Sequence, residues 1–280
     1  MLSLYKMHIK RMISRREFFF VVSALLLLGA GAFIENCTKV YGWFYSTLNS
    51  GAVGWVMQMD QQPSGNTVCR VFVFFLFGIL AAMVYGDGYC RDKQDKILSS
   101  ILARGGRNAY LITGALAAFT GAFSVIFGFY FLTQLLDLLV FPIQSDFFDY
   151  NAVAIWEDSL RRGVLFPELF FRTPYLHNLL FMTYGALWAG VFGLMSYTAS
   201  LNISNRLVVL GLPQLFLFLT SVLQVLPVPF ETAIYYYLYP ARGQNDLSKA
   251  WFFVAPWCVL LPVIGLLALF ITDKKRKDYL

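Results

Sequence analysis

The chain has 280 residues, of which 58% are hydrophobic and only 14% are charged. Soluble domains carry about a quarter charged residues, so this composition excludes an ordinary soluble domain and indicates apolar side chains that meet lipid. The formal net charge of +6 does not indicate a nucleic-acid partner, because the basic residues lie in short blocks between long apolar stretches, as in membrane proteins.

Six apolar stretches are candidates for crossing the ~30 Å hydrocarbon core of a bilayer as helices. We predict spans over residues 18–34, 71–85, 110–140, 179–201, 207–226 and 251–271. The fifth contains Pro213, which a membrane helix tolerates when a neighbouring group satisfies the carbonyl that proline leaves free. The predicted fold is therefore all-α, one polytopic membrane domain over residues 1–280 with six transmembrane helices.

Basic residues set the predicted orientation. Most of them precede the first span, lie between the second and third or the fourth and fifth, or follow the sixth. These are Lys6, Lys10, Arg11, Arg15 and Arg16, then Arg91, Lys93, Lys96, Arg104 and Arg107, then Arg206, and finally Lys274, Lys275, Arg276 and Lys277. Because translocation of Lys and Arg is disfavoured, we expect the N and C termini to face the cytoplasm.

The segments on either side of the first span differ in character. Residues 1–16 interleave apolar and basic side chains, which favours an interfacial helix on the inner membrane surface, and the alternative is a disordered basic leader that only sets the topology. Residues 36–70 are rich in Gly, Ser, Asn and Gln, and they predict a polar outer loop with Trp43, Phe44 and Trp55 at the lipid headgroups.

The connector between the second and third spans carries the most informative pattern. It begins Tyr85-Gly86-Asp87-Gly88-Tyr89 and continues into a charged run. Its apolar residues then recur with the spacing of a short amphipathic helix, which Gly105-Gly106 ends. These residues are Ile97, Leu98, Ile101 and Leu102. Such a helix suits docking onto a soluble partner, and a solvated connector that only sets topology is the open alternative.

This connector resembles the intracellular segment of ABC-2 type permeases from Gram-positive bacteria, in its YGDGY element, its charged run and its Arg-x-x-Arg-x-x-Tyr ending at Tyr110. Residues 165–170, 174–178 and 205–213 are also similar to that family, and the resemblance covers nearly the whole chain. Two positions depart from the family pattern. Arg91 stands where an acidic residue is expected, and Lys96 stands where a glycine is usual before the short helix.

The resemblance implies a permease subunit of an ATP-driven exporter in the bacterial cytoplasmic membrane. Two permease chains, identical or different, would pair above two ABC ATPase subunits, and the substrate would be amphipathic: an antimicrobial peptide, a lipid or a drug. Residues 1–15 would form a connecting helix, residues 88–108 the coupling helix, and residues 227–249 a partly re-entrant outer gate. The implied coupling residues are Tyr85, Gly86, Asp87, Tyr89, Ile97, Leu98, Ile101, Leu102, Arg104 and Arg107. The implied gate residues are Pro227, Pro229, Phe230, Glu231 and Tyr235.

Catalytic motifs are absent from the sequence. It has no GxxxxGK[ST] phosphate-binding loop, so we expect ATP and its Mg²⁺ on the partner ATPase and no cofactor in this chain. It also lacks HExxH, GxSxG and any metal-ligand spacing of His, Cys and carboxylates, so we do not expect an enzyme. The alternative function is an ATP-independent channel or a structural subunit of a membrane complex.

Three further predictions concern single residues. Asp137, flanked by leucines, is either a functional buried carboxylate or, as we favour, a marker of the outer end of a helix. Cys37 and Cys69 both lie near outer ends of spans, where a disulfide is conceivable and two unpaired thiols are the simpler expectation. Glycines in the fourth span predict close approach of another helix. They are Gly185, Gly190 and Gly193.

Overall fold

A computed structural model describes residues 1–42, 50–57, 66–98, 100–101, 106–144, 166–223 and 238. The regular secondary structure of these residues is entirely helical, as predicted. The helices are α1 (Leu2–Ile13), α2 (Arg16–Val40), α3 (Thr67–Tyr85), α4 (Gly88–Gln94), α5 (Arg107–Val140), α6 (Pro167–Arg172), α7 (Pro174–Ser200) and α8 (Arg206–Leu223). Helix α3 is α-helical over Thr67–Val71, π-helical over Phe72–Leu76 and α-helical again over Phe77–Tyr85.

Four helices, α2, α3, α5 and α7, are long and apolar enough to cross a membrane. They correspond to the first four predicted spans, and each begins two to five residues earlier than predicted. Polar residues at the N-terminal ends of the helices explain the difference. The helical backbone includes these residues, whereas a prediction from hydropathy begins only at the first apolar ones. Helix α8 is a shorter apolar helix at the position of the fifth predicted span. The sixth predicted span lies outside the described residues.

Local signals fix where several helices begin. At the start of α3, the Asn66 side chain accepts a hydrogen bond from the Cys69 amide at 3.0 Å, which satisfies one of the amides that have no partner within the helix. Helices α6 and α7 begin at Pro167 and Pro174. Proline is favoured there because its fixed φ suits the helix and its missing N–H costs nothing in the first turn.

Helices α2, α3, α5 and α7 alternate in direction, so their termini gather at two opposite ends of a bundle. At one end, Nη1 of Arg15, just before α2, lies 3.2 Å from Oδ1 of Asp87, just after α3. At the other end, Nδ2 of Asn36 in α2 lies 3.4 Å from Oδ1 of Asp137 in α5. We call the end that contains Asp87 the charged end. Helix α7 is the most enclosed, with 72% of its most apolar stretch buried against 22% for α2.

The glycines of α7 face α5, its most extensive packing partner. A Cβ atom at Gly193 would lie 2.7 Å from the Ala118 carbonyl oxygen, and one at Gly185 would lie 2.6 Å from the Tyr130 ring. Only glycine therefore permits this separation of the two backbones. The predicted close approach is confirmed.

Residues at the N-terminus form helix α1, so the disordered-leader alternative is wrong. His8 and Met12 of α1 are buried, and Tyr5 Oη lies 2.8 Å from Oγ1 of Thr120 in α5. Gly121 of α5 faces the Met12 sulfur. Helix α1 thus packs across the charged end of the bundle.

The prediction that Trp55 lies at the headgroups is wrong. Its side chain is 1% exposed, and its Nε1 donates to Thr133 Oγ1 at 3.0 Å inside the bundle. Residues 50–57 as a whole fold inward between α2, α5 and α7 at the end opposite the charged end. Trp43 and Phe44 lie outside the described residues.

Polar side chains of three helices make this burial possible. The amide of Gln134 donates to the Gly51 carbonyl at 2.7 Å, that of Asn178 to Ala52 at 2.8 Å, and that of Asn36 to Gly54 at 2.8 Å. The Val56 amide donates to Asp137 Oδ2 at 3.2 Å. A backbone segment can be buried at membrane depth when protein groups satisfy it in this way.

Asp137 marks the end of a helix, as favoured, and a functional role of its carboxylate stays a prediction. It lies in the last turn of α5, as a helix-end marker would, and it is fully buried, with its carboxylate holding residues 50–57. No disulfide joins Cys37 and Cys69, in agreement with the simpler expectation.

Pro213 of α8 is accommodated as predicted. Because proline has no N–H, it leaves the carbonyl of Val209 without its helical partner. The Ser196 hydroxyl of α7 donates to that carbonyl at 3.1 Å. A neighbouring helix thus supplies the missing hydrogen bond.

Candidate coupling site at the charged end

The turn from α3 to α4 places two carboxylates inside the protein. Asp87 is 1% exposed and Asp92 is fully buried. Gly86 makes the turn possible, because a Cβ atom there would lie 2.7 Å from the Ala82 carbonyl oxygen and would clash with Ser196. Buried carboxylates require partners, since removing a charge from water is costly.

Asp92 is neutralised by Arg11 of α1. Two parallel contacts of 2.8 Å join Nη1 and Nη2 of Arg11 to Oδ2 and Oδ1 of Asp92, the bidentate geometry that favours an arginine–carboxylate pair. The Tyr110 hydroxyl of α5 also donates to Asp92 Oδ2, at 2.5 Å. The segment after α3 is therefore fixed to α1 and to α5.

Asp87 is shared between two arginines. Nη1 of Arg15 lies 3.2 Å from Oδ1, and Nε of Arg206, the first residue of α8, contacts Oδ2. The Arg15 guanidinium also lies over the Tyr85 ring, 4.5 Å from its centroid. Asp87 therefore joins the end of α3 to the starts of α2 and α8.

Glu17 of α2 completes the set. Its Oε1 lies 2.7 Å from Nη2 of Arg206, and its Oε2 lies 2.9 Å from Nη1 of Arg91 in α4. We call seven of the ion-paired residues at the charged end the charge cluster. They are Arg11, Arg15, Glu17, Asp87, Arg91, Asp92 and Arg206. The charge cluster connects α1, α2, α4 and α8 in one network.

His8 lies beside the charge cluster and is fully buried. Its Nδ1 is 2.8 Å from the Tyr85 hydroxyl, and its ring centroid is 4.9 Å from that of Tyr110. Burial lowers the pKa of His8 from 6.5 to about 4, and Asp92, which acts to raise it, only partly opposes this. The imidazole is therefore neutral at neutral pH.

The predicted coupling residues differ in where they lie. Tyr85, Gly86, Asp87 and Tyr89 are buried at the charged end. Within the predicted apolar stripe, Ile97 is 39% exposed, whereas Leu98 and Ile101 are partly buried and pack against the core. Arg107 is the first residue of α5. Leu102, Arg104 and all of the predicted gate residues, Pro227, Pro229, Phe230, Glu231 and Tyr235, lie outside the described residues.

Lys96 lies in a backbone conformation that favours glycine. Its φ is 57°, a left-handed conformation that costs a non-glycine residue about 1 kcal/mol and that glycine adopts freely.

The sequence pattern missed most of the charge cluster. From the sequence, Arg11, Arg15 and Arg206 indicate only orientation, and Glu17 and Asp92 show no distinguishing pattern. One feature of the sequence could have indicated the charge cluster: residues of opposite charge lie at the predicted cytoplasmic ends of several spans. Sequence alone could not pair them, since Arg15 and Asp87 are 72 positions apart.

A small cavity adjoins the charge cluster. It has a volume of about 240 Å³ and lies between α4 and residues 200–204, with Lys93, Gln94 and Asn202 among its lining. The Cys90 thiol on its wall donates to the Ile203 carbonyl at 3.0 Å. Burial raises the pKa of this thiol. Cys90 therefore contributes to packing as a neutral side chain.

No match was found when the chain was compared with protein-family models, curated proteins and solved structures. Among the described residues, no group of three or more His, Cys, Asp and Glu side chains is placed to hold a metal ion. The absence of a cofactor stays a prediction.

Proposed function

We propose that this chain is the membrane-spanning permease subunit of an ATP-driven ABC exporter. In this proposal six helices cross the bacterial cytoplasmic membrane, both termini and the charge cluster face the cytoplasm, and a separate ATPase dimer binds ATP and Mg²⁺. A second permease chain, identical or different, completes the transporter. The cargo is an amphipathic molecule, namely an antimicrobial peptide, a lipid or a drug.

The charge cluster is the observation that carries the proposal. The segment that resembles a coupling element is fixed through Asp87 and Asp92 to Arg11, Arg15 and Arg206. Breaking one partner of a buried ion pair costs about 3–5 kcal/mol, so a displacement of this segment moves its partners as well. A push on residues 87–92 is thereby transmitted to α1 and to the starts of α2 and α8.

This arrangement suits a motor that acts from the cytoplasm. Rigid-body movement of packed helices is a common way to switch a protein between two states, and it requires a firm connection where the force is applied. A solvated topogenic connector needs no such connection. The basic residues concentrated at the charged end support its cytoplasmic location.

Purification from native membranes tests the proposal. The tagged chain is isolated in mild detergent, and we expect an ABC ATPase subunit to co-purify in stoichiometric amount. A monodisperse chain that carries no ATP-hydrolysing partner would contradict the proposal and favour the channel or structural subunit.

A matched pair of variants tests coupling in the purified complex. Asp87→Asn should lower ATP hydrolysis by about fivefold or more without releasing the ATPase, because the segment no longer moves its partners together. Asp95→Asn is the control, since its side chain is 50% exposed and it only approaches Arg91, at 3.8 Å. Equal hydrolysis in the two variants would reject the coupling role.

A further inference from the structure

Helix α3 contains a break that a side chain of α8 fills. Over Phe72–Leu76 the helix is π-helical, and the Phe77 amide donates to Phe72, five residues earlier. An α-helix would join the Gly78 amide to the Phe74 carbonyl, four residues earlier. Both groups are bonded to the Gln214 amide: Oε1 accepts from Gly78 at 3.0 Å, and Nε2 donates to Phe74 at 2.5 Å.

Contact between α3 and α8 is close at this point. A Cβ atom at Gly78 would lie 2.8 Å from the backbone nitrogen of Gln214, so only glycine permits the approach. Gln214 is 4% exposed, and it directly follows Pro213. Insertion of a side chain into the helical hydrogen-bond ladder is a recognised cause of local helix distortion.

We propose that the Gln214 amide stands in for a backbone hydrogen bond of α3, which makes the α3–α8 contact a seam that can part. When α8 withdraws, the Gly78 N–H and the Phe74 carbonyl are free to bond each other and to close the α-helix. In apolar surroundings an unpaired peptide group is very costly, so this internal replacement lowers the cost of parting. Water that enters the seam solvates the long, flexible Gln214 side chain.

At the contact between α7 and α8, no backbone group of α8 can replace the hydrogen bond that α7 supplies. The Val209 carbonyl accepts from Ser196 because Pro213 has no N–H to offer it. Losing Ser196 would leave that carbonyl unpaired. Helix α8 therefore stays with α7 and leaves α3, and the seam opens on one side only.

An opening seam of this kind would give an amphipathic molecule a lateral path from lipid to the interior. That use rests on the proposed exporter function. The separation of α3 from α8 does not depend on that function, and it is measured on the purified chain without any ATPase.

Cross-linking reports the state of the seam. Phe75 of α3 and Phe218 of α8 face each other across it with ring centroids 6.0 Å apart, and both are partly exposed. They are replaced by cysteine in a chain whose four native cysteines have been changed to serine, and the pair is joined with a short bifunctional thiol reagent. The control pair Phe119→Cys and Gly190→Cys spans the α5–α7 contact, where a Gly190 Cβ atom would lie 2.8 Å from the Phe119 ring.

Gln214→Leu removes the stand-in bonds. We expect the ratio of closed to open seam to fall by about tenfold, as the loss of two hydrogen bonds of ordinary net strength produces, and cross-linking of the seam pair to slow as the closed fraction falls. The control pair should keep its rate, and circular dichroism should show unchanged helix content. An unchanged rate at the seam would overturn the proposal.

Gly78→Ala is a second substitution that should favour the state in which α3 and α8 are separated. Its added methyl group pushes on Gln214 but leaves the α3 backbone groups able to bond each other. The same slowing with a folded chain supports the proposal, and this variant decides the outcome if Gln214→Leu does not fold. Loss of the folded chain in both variants would overturn it, because α3 would then depend on α8 for its hydrogen bonds.

Discussion

Asp87 and Asp95 lie on the same segment in opposite surroundings. Asp87 is 1% exposed between two arginines, whereas the Asp95 side chain is 50% exposed. Asp87→Asn leaves the buried Arg15 with only the more distant Asp92 carboxylate, at 4.0 Å, so we expect it to lower the free energy of unfolding by about 3 kcal/mol. Asp95→Asn should change it by less than about 0.5 kcal/mol. Denaturant unfolding in detergent, followed by circular dichroism, measures both, and similar losses would show that the buried pairs contribute little.

The lowered pKa of His8 predicts how the free energy of unfolding depends on pH. Its pKa is 6.5 when exposed and about 4 in the folded chain, so the unfolded chain binds more protons between these values. His8 therefore makes its full contribution to the free energy of unfolding above pH 6.5. This contribution, about 3 kcal/mol in total, is lost as the pH falls towards 4. His8→Gln keeps a polar side chain beside Tyr85 but does not titrate. Unfolding free energies measured from pH 7 to pH 4 should fall more steeply for the wild type, and parallel curves would contradict the prediction.

Helix packing gives a prediction at the scale of elements. Gly193→Ala places a methyl group 2.7 Å from the Ala118 carbonyl oxygen, so α5 and α7 must separate. We expect a loss of about 1–3 kcal/mol in the free energy of unfolding. Gly128→Ala is the matched control, because a Cβ atom there meets nothing within 4 Å. In detergent, the midpoint temperature of thermal unfolding should be clearly lower for Gly193→Ala than for Gly128→Ala. Equal midpoints would show that the two helices are not held at this separation.

The four long apolar helices and the shorter α8 could be predicted from hydropathy because each apolar stretch is a local property of the chain. Residues 50–57 could not be placed in the same way. Their composition is that of a loop, and their burial depends on Asn36, Gln134 and Asn178, which come from three different helices. The π-helical break in α3 was equally invisible, since it depends on Gln214 of another helix.

At the scale of the whole molecule, the distribution of basic residues predicted which segments share an end. The leader, the connector after the second span and the segment before the fifth meet in the charge cluster through Arg11, Arg91 and Arg206. Charge counting could assign these segments to one side because orientation depends on each segment alone. It could not identify the pairs, which depend on the packed bundle.

If the proposed function is correct, the charge cluster faces the cytoplasm. Single cysteines in a cysteine-free chain test this directly in intact cells with a membrane-impermeant maleimide. Asp95→Cys reports the charged end, and Tyr41→Cys reports the opposite end, where Tyr41 is 90% exposed. We expect Tyr41→Cys to react in intact cells and Asp95→Cys to react only after the membrane is permeabilised. Labelling of Asp95→Cys from outside intact cells would contradict the topology and, with it, a cytoplasmic motor acting on this segment.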